Sequence, residues 1–148
     1  MKRKILIAAA AFAVVLIAIQ LVPVNRSNPP VVADFDGPTA VATVLKASCY
    51  DCHSYETSWP WYSRVAPVSW LVAHDVEEAR DHFNFSLWGN YNGKRQERLA
   101  DEIWEEVEEG EMPLPVFLLA HPDARLTDAD KATIHAWSVA ARQTAVID

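Results

Sequence analysis

Apolar positions run without a break from Ile5 to Ile19, and only Gln20 and Pro23 interrupt their continuation to Val24. A helix of about 20 such residues spans the roughly 30 Å hydrocarbon core of a bilayer. The pattern predicts an N-terminal transmembrane helix within residues 1–24, with Lys2, Arg3 and Lys4 on the cytoplasmic side and the rest of the chain outside. A cleaved signal peptide is the alternative. It needs an apolar core of about 7–15 residues and a small-x-small cleavage site. The stretch QLVPVNRSNPP offers no good site. Both readings export the remainder of the chain, whereas a buried globular helix would not.

Beyond Val24 the pattern changes. Residues 25–37 contain the adjacent Pro29 and Pro30 and little periodicity, which predicts an extended linker. The folded unit is expected over 38–148. Val41, Val44, Leu45 and Ser48 share one face of a helix over about 39–48, with Pro38 suited to its start. A second helix starts after Pro67 and runs to about His82, with Leu71 and Val72 among its apolar positions. In the third, Leu99, Ile103 and Val107 repeat every four residues, Ala100 and Trp104 widen the stripe, and Gly110 is a natural stop. The fourth opens at Thr127-Asp128-Ala129-Asp130, close to a capping box, and continues through Ile134, Trp137 and Ala141. No segment alternates like a strand. The predicted class is all-α.

Charge narrows the partners. Three of the 13 basic residues lie in Lys2–Lys4 and all 20 acidic ones come after Val24, so the outer part holds ten more acidic than basic groups. Phosphate binding needs a basic footprint, which argues against nucleic acid. A solvated acidic surface explains the balance, and so does a basic protein partner.

Both cysteines fall in Cys49-Tyr50-Asp51-Cys52-His53, the C-x-x-C-H pattern of covalent haem attachment. Two thiols add across the haem vinyl groups, and the two-residue gap suits their separation on a helical turn. The following imidazole then meets the iron as proximal ligand. Rival readings are a thiol–disulfide site, which lacks a βαβ context, and a structural zinc site, which lacks a second ligand pair. A plain disulfide is the simplest rival.

Met112 is the one methionine besides the initiator, and it stands in Gly110-Glu111-Met112-Pro113-Leu114-Pro115. A thioether on a proline-braced loop downstream of C-x-x-C-H suits the sixth iron position; a gap-filling core methionine is the plainer reading. His74 and His121 are the weaker axial candidates, and His82 and His135 read as surface residues. The proximal His53 should donate its other ring N–H to a backbone carbonyl between Ser58 and Pro67. Trp59, Trp61, Tyr62 and Trp70 read either as core or as packing around a porphyrin, with Trp59, Tyr62 and Trp70 the candidates for haem contact.

The blocks CYDCHSYETSWPWYSRVAPVSWL, HDVEEARDHFNFSLW, GEMPLP and HPDARLT together resemble the small haem-binding domain family of exported bacterial cytochrome c-like proteins. The resemblance covers about Pro29 to Trp137. It implies a compact cytochrome c-type helical fold around one haem c, with Cys49 and Cys52 attached, His53 proximal and Met112 distal. It also implies redox partners such as cytochromes or a di-haem cytochrome c peroxidase. One departure is Ala79-Arg80 in place of Gly-Arg, which a helix tolerates. The expected protein is a membrane-anchored, single-pass electron carrier on the periplasmic side of the inner membrane, not an enzyme. The alternatives are a haem peroxidase, which needs an open sixth position, and a haem-based redox or gas sensor.

Overall fold

The computed structural model describes residues 1–145, so the last three residues of the expected 38–148 unit lie outside the described residues. Seven α-helices succeed one another: α1 (Lys2–Ile19), α2 (Thr39–Ser48), α3 (Tyr50–His53), α4 (Val68–His82), α5 (Gly93–Glu109), α6 (Pro115–Ala120) and α7 (Asp128–Ala145). Short 3-10 turns cover Trp61–Arg64, Phe85–Asn90 and Pro122–Ala124. Among the described residues there is no strand.

The local signals explain the boundaries. At the start of α7, Asp130 Oδ2 accepts the Thr127 backbone N–H at 2.9 Å, and Thr127 Oγ1 accepts the Asp130 N–H at 3.2 Å. These are the reciprocal bonds of a capping box, with aspartate in the glutamate role. Gly110 ends α5 in the left-handed region at φ 79°, where a Cβ would be strained. Pro38 and Pro67 precede α2 and α4 as expected.

The core is aromatic at its centre. α5 turns Leu99, Ala100, Ile103 and Val107 inward, and it packs against α7, whose Ile134 is fully buried. Leu45 of α2 is fully buried as well. Phe35 meets Phe85, Trp88 and Trp137 edge-on at 6.0, 5.5 and 5.5 Å. Tyr50 stacks on Phe85 at 5.0 Å. These edge-to-face and offset contacts add to the burial energy of each ring.

Two expectations change here. The segment 25–37 is extended, yet bound along its length. Arg26 donates to the Ser63 carbonyl at 3.2 Å, Asn28 to the Thr57 carbonyl at 2.8 Å, and the Val32 and Ala33 N–H groups to the Ser86 carbonyl. Phe35, inside the expected linker, is a core residue. The proline pair signals an extended backbone correctly but says nothing about what that backbone lies against.

The transmembrane helix expected within residues 1–24 is the second. The α1 helix stops at Ile19, and no helix among the described residues is long and apolar enough to cross a membrane. Its apolar run Ile5–Ile19 rises only about 22 Å at 1.5 Å per residue, well short of the roughly 30 Å core. The Gln20 side chain marks the stop, turning to the backbone of Ala66.

Because Phe35 joins the 25–37 segment to the core, Phe35→Ala should cost about 3 kcal/mol or more of unfolding free energy. Urea denaturation measures it. A wild-type midpoint would show that the segment is only draped over the domain.

A cavity at the Cys-x-x-Cys-His turn

The α2 helix breaks at Cys49, whose N–H bonds the Leu45 carbonyl at 2.8 Å. One further turn, α3, begins at once. The N–H groups of Cys52 and His53 return to the Cys49 carbonyl at 3.2 and 2.9 Å. Positions i, i+3 and i+4 of a turn share a face, so Cys49, Cys52 and His53 point the same way. All three line one cavity of about 550 Å³, a volume in the range of cofactor sites, about 300–1,000 Å³. Met112 lines it too. Residues 60 positions apart in the chain thus meet because α5 ends where it does. Past Gly110 the N–H groups of Glu111 and Met112 both fold back on the Glu106 carbonyl, at 3.0 and 3.1 Å.

The His53 ring is fixed on two sides. It stacks on Phe83 at 4.1 Å, 10° from parallel. Its Nδ1 lies 3.1 Å from the Ala79 carbonyl. A carbonyl can only accept, so Nδ1 carries the proton and Nε2 keeps the lone pair. The expected carbonyl acceptor is therefore present, but it comes from α4 and not from residues 58–67. The next residue completes the clamp. Arg80 Nε donates to the Ser54 carbonyl at 2.8 Å, and its Nη atoms reach the Ser27 carbonyl, Asn28 Oδ1 and Thr57 Oγ1 at 3.0, 2.9 and 2.8 Å. The guanidinium also lies over the Tyr55 ring, 5.3 Å from its centroid.

Burial sets the electrostatics. It pushes the Cys49 thiol up to about 12, with Cys52 beside it adding to the effect. It pushes Cys52 up to about 11, and Asp51 and Asp75 act in the same direction. Cys49 and Cys52 form no disulfide with each other. A nucleophilic C-x-x-C needs a lowered thiol pKa, so this site is poorly suited to thiol–disulfide exchange. Burial also lowers the His53 imidazole to about 4, against the opposing pull of the backbone carbonyls. It is a neutral imidazole near pH 7. Among the described residues, no group of three or more His, Cys, Asp or Glu could hold a bare metal ion, which removes the zinc reading there.

The remaining candidates separate. Tyr62 lines a second, smaller cavity of about 220 Å³ that shares Cys52, Asp75, Leu114 and Phe117 with the first. Its hydroxyl is 2.7 Å from His121 Nε2. Trp59 and Trp70 line neither cavity. Trp59 donates instead to Asn28 Oδ1 at 3.2 Å, which ties up the indole that the sequence offers for haem contact. His74 lies off both cavities beside Glu78, and His135 stacks on Trp104. His82 is the rival histidine on the main cavity, 3.5 Å from Glu102. The apolar walls are Phe83, Phe85, Ile103, Val107, Leu114 and Phe117. Ile103 and Val107 were visible as core positions of α5. Phe83 and Phe85 had no periodicity to mark them, since they lie past the end of α4.

The residues present fit a large planar group with a metal centre: two thiols, one oriented imidazole, one thioether and apolar walls on a single cavity. The comparison with protein families agrees. The model of the haem-binding domain family matches residues 14–140, and the chain belongs to that family. It is a haem-binding protein. No curated protein and no solved structure matches it.

The Arg80 clamp makes a prediction about stability. Arg80→Met leaves the stem but strands several carbonyl and amide acceptors, at a cost of about 2–4 kcal/mol. Arg80→Lys should recover little, because one ammonium cannot reproduce a planar fork serving four partners. A Lys variant with the wild-type urea midpoint would contradict the clamp.

Proposed function

We propose that the chain is a monohaem c-type cytochrome that carries single electrons outside the cytoplasmic membrane. The observation behind this reading is the meeting of Cys49, Cys52, His53 and Met112 on one cavity of about 550 Å³. Cys49 and Cys52 would hold haem c through two thioethers, His53 would ligate through Nε2, and Met112 would supply the distal sulfur. When bound, the haem would provide a one-electron Fe(III)/Fe(II) couple.

The chain's own contribution is orientation and burial. The Ala79 carbonyl fixes the His53 tautomer and strengthens its basicity. The Phe83 ring holds the imidazole plane. Phe85, Ile103 and Val107 keep water from that side of the cavity. Pro113 and Pro115 restrict the Met112 loop, so little entropy is lost when the sulfur is held. Export is supported by the basic head and apolar run at the N-terminus, and it suits a covalent linkage, which would prevent haem loss. Redox proteins such as cytochromes or a di-haem cytochrome c peroxidase are the expected partners, by resemblance. In this reading the protein is a carrier and not an enzyme.

A peroxidase-like reading has one observation in its favour. His82, paired with Glu102 at 3.5 Å, lines the same cavity and would be a distal acid–base group if Met112 were not bound.

Co-expression with a cytochrome c maturation system, followed by visible spectroscopy, separates the two. Wild type should be low-spin with a methionine-to-iron charge-transfer band, and denaturing gels should retain haem staining. Cys49→Ala/Cys52→Ala should lose the stain; retention would refute attachment at these thiols. Met112→Ala should keep the haem, lose the far-red band and gain rapid CO binding. If Met112→Ala leaves the spectrum unchanged while His82→Ala alters it, the carrier reading gives way to the second.

A further inference from the structure

We propose that the face formed by residues 61–71 and 116–119 rests on a lipid bilayer that α1 enters. Among the described residues, beyond the N-terminal segment and apart from Val31 and Val32, the large exposed apolar side chains all belong to these two stretches: Trp61, Val65, Val68, Leu71, Val116 and Leu119. Trp61 is 76% exposed and Leu119 85%. The stretches adjoin. Val68, Leu71 and Val116 line the same small cavity, and the Tyr62–His121 hydrogen bond joins them. A contiguous apolar surface of this kind marks a contact site.

Two observations name the occupant. The first is where α1 ends. This helix has no buried residue, and residues 5–18 of its apolar run are all exposed. Its end is fastened within the patch: Gln20 Oε1 accepts the Ala66 N–H at 2.9 Å, and Gln20 Nε2 donates to the Ala66 carbonyl at 3.2 Å. A bilayer that takes α1 therefore brings residues 65–67 to its surface. The proposal needs α1 to enter lipid, not to cross it.

The second is charge. The chain holds 20 acidic residues, yet none lies in 61–71 or 116–119, where Arg64 is the single charged side chain. Anionic headgroups repel carboxylates and attract guanidinium groups. An exposed tryptophan is also at home at the headgroup level, with its ring in the apolar layer and its N–H in water. Asp51 and Asp75 line the small cavity at the edge of this face; the other acidic residues among those described lie outside both stretches and that cavity.

The exposed side chains of this face are distinct from Cys49, Cys52, His53 and Met112, so the contact and the haem assignment can each fail alone. The test uses the full chain on vesicles of phosphatidylethanolamine and phosphatidylglycerol. Hydroxyl-radical oxidation is read residue by residue by mass spectrometry, with the exposed His135 as the internal reference. Val116→Glu/Leu119→Glu changes two exposed side chains and should leave the urea midpoint unchanged. Trp61 should be protected in wild type and oxidised several-fold faster in the variant, while His135 stays the same and both chains sediment with the vesicles. Equal Trp61 oxidation in the two chains would overturn the proposal, as would failure of the wild-type chain to bind vesicles. Trp61 protection that tracks protein concentration and not lipid would assign the face to a second copy of the chain and overturn it too.

Discussion

Two neighbouring residues of α4 hold in place the loop that follows the Cys-x-x-Cys-His turn. The Ala79 carbonyl takes the His53 N–H, and the Arg80 guanidinium takes Ser54, Thr57, Ser27 and Asn28. Residues 54–60 form no helix and no strand, so their backbone is ordered by contacts outside the loop. Fixing each such residue costs roughly 1–2 kcal/mol of conformational entropy. One planar cation with several fixed donors offsets much of that cost from a single side chain, because its own freedom is lost only once. The same side chain closes the extended N-terminal segment over the loop. The position of the imidazole thus depends on α4 more than on the Cys-x-x-Cys-His turn that carries it.

The domain's core and its cavity share a wall. Phe35, Leu45, Leu99 and Ile134 pack with Trp88 and Trp137 away from the cavity, while Phe83, Phe85, Ile103 and Val107 belong to both the core and the cavity lining. A bound cofactor would add stability by linkage, since it binds the folded state and not the unfolded chain. Among these shared residues Phe85 reaches furthest. Phe85 touches Phe35, Tyr50, Phe83 and Trp88, so a change at the cavity wall reaches the centre of the fold through rigid aromatic contacts.

The long helices were legible because their signals are local: the four-residue stripe of α5, the capping box of α7 and the glycine stop at residue 110. The Cys-x-x-Cys-His turn and Met112 stood out in the sequence as candidates, and the structure brings them to one cavity. What escaped was non-local or aperiodic. Neither α3 nor α6 is long enough to show a period. Phe35 lies in a stretch that reads as a linker, and its burial comes from rings 50 and more positions away. The Ala79 carbonyl has no side-chain signature at all. The aromatic window at 59–70 misled for a related reason. Composition reveals how much aromatic mass is present, but not which rings turn inward, and Trp61 turns out.

The two faces of the domain differ in sign as well as in polarity. Asp75, Glu78, Glu102, Glu105 and Glu106 lie along the main cavity, and no lysine or arginine lines it. Residues 61–71 carry no carboxylate. This segregation gives the overall acidity a direction that a net charge cannot express. Carboxylates around a cavity favour the more positive state of whatever occupies it and repel anionic proteins. They also steer cationic surfaces toward the opening, an effect that salt screens over about 8–10 Å. Under the proposed carrier reading, basic partners would approach this opening from the aqueous side. The acidic composition, read from sequence alone as either a solvated surface or a partner site, thus has a position: five carboxylates border the cavity, and residues 61–71 have none.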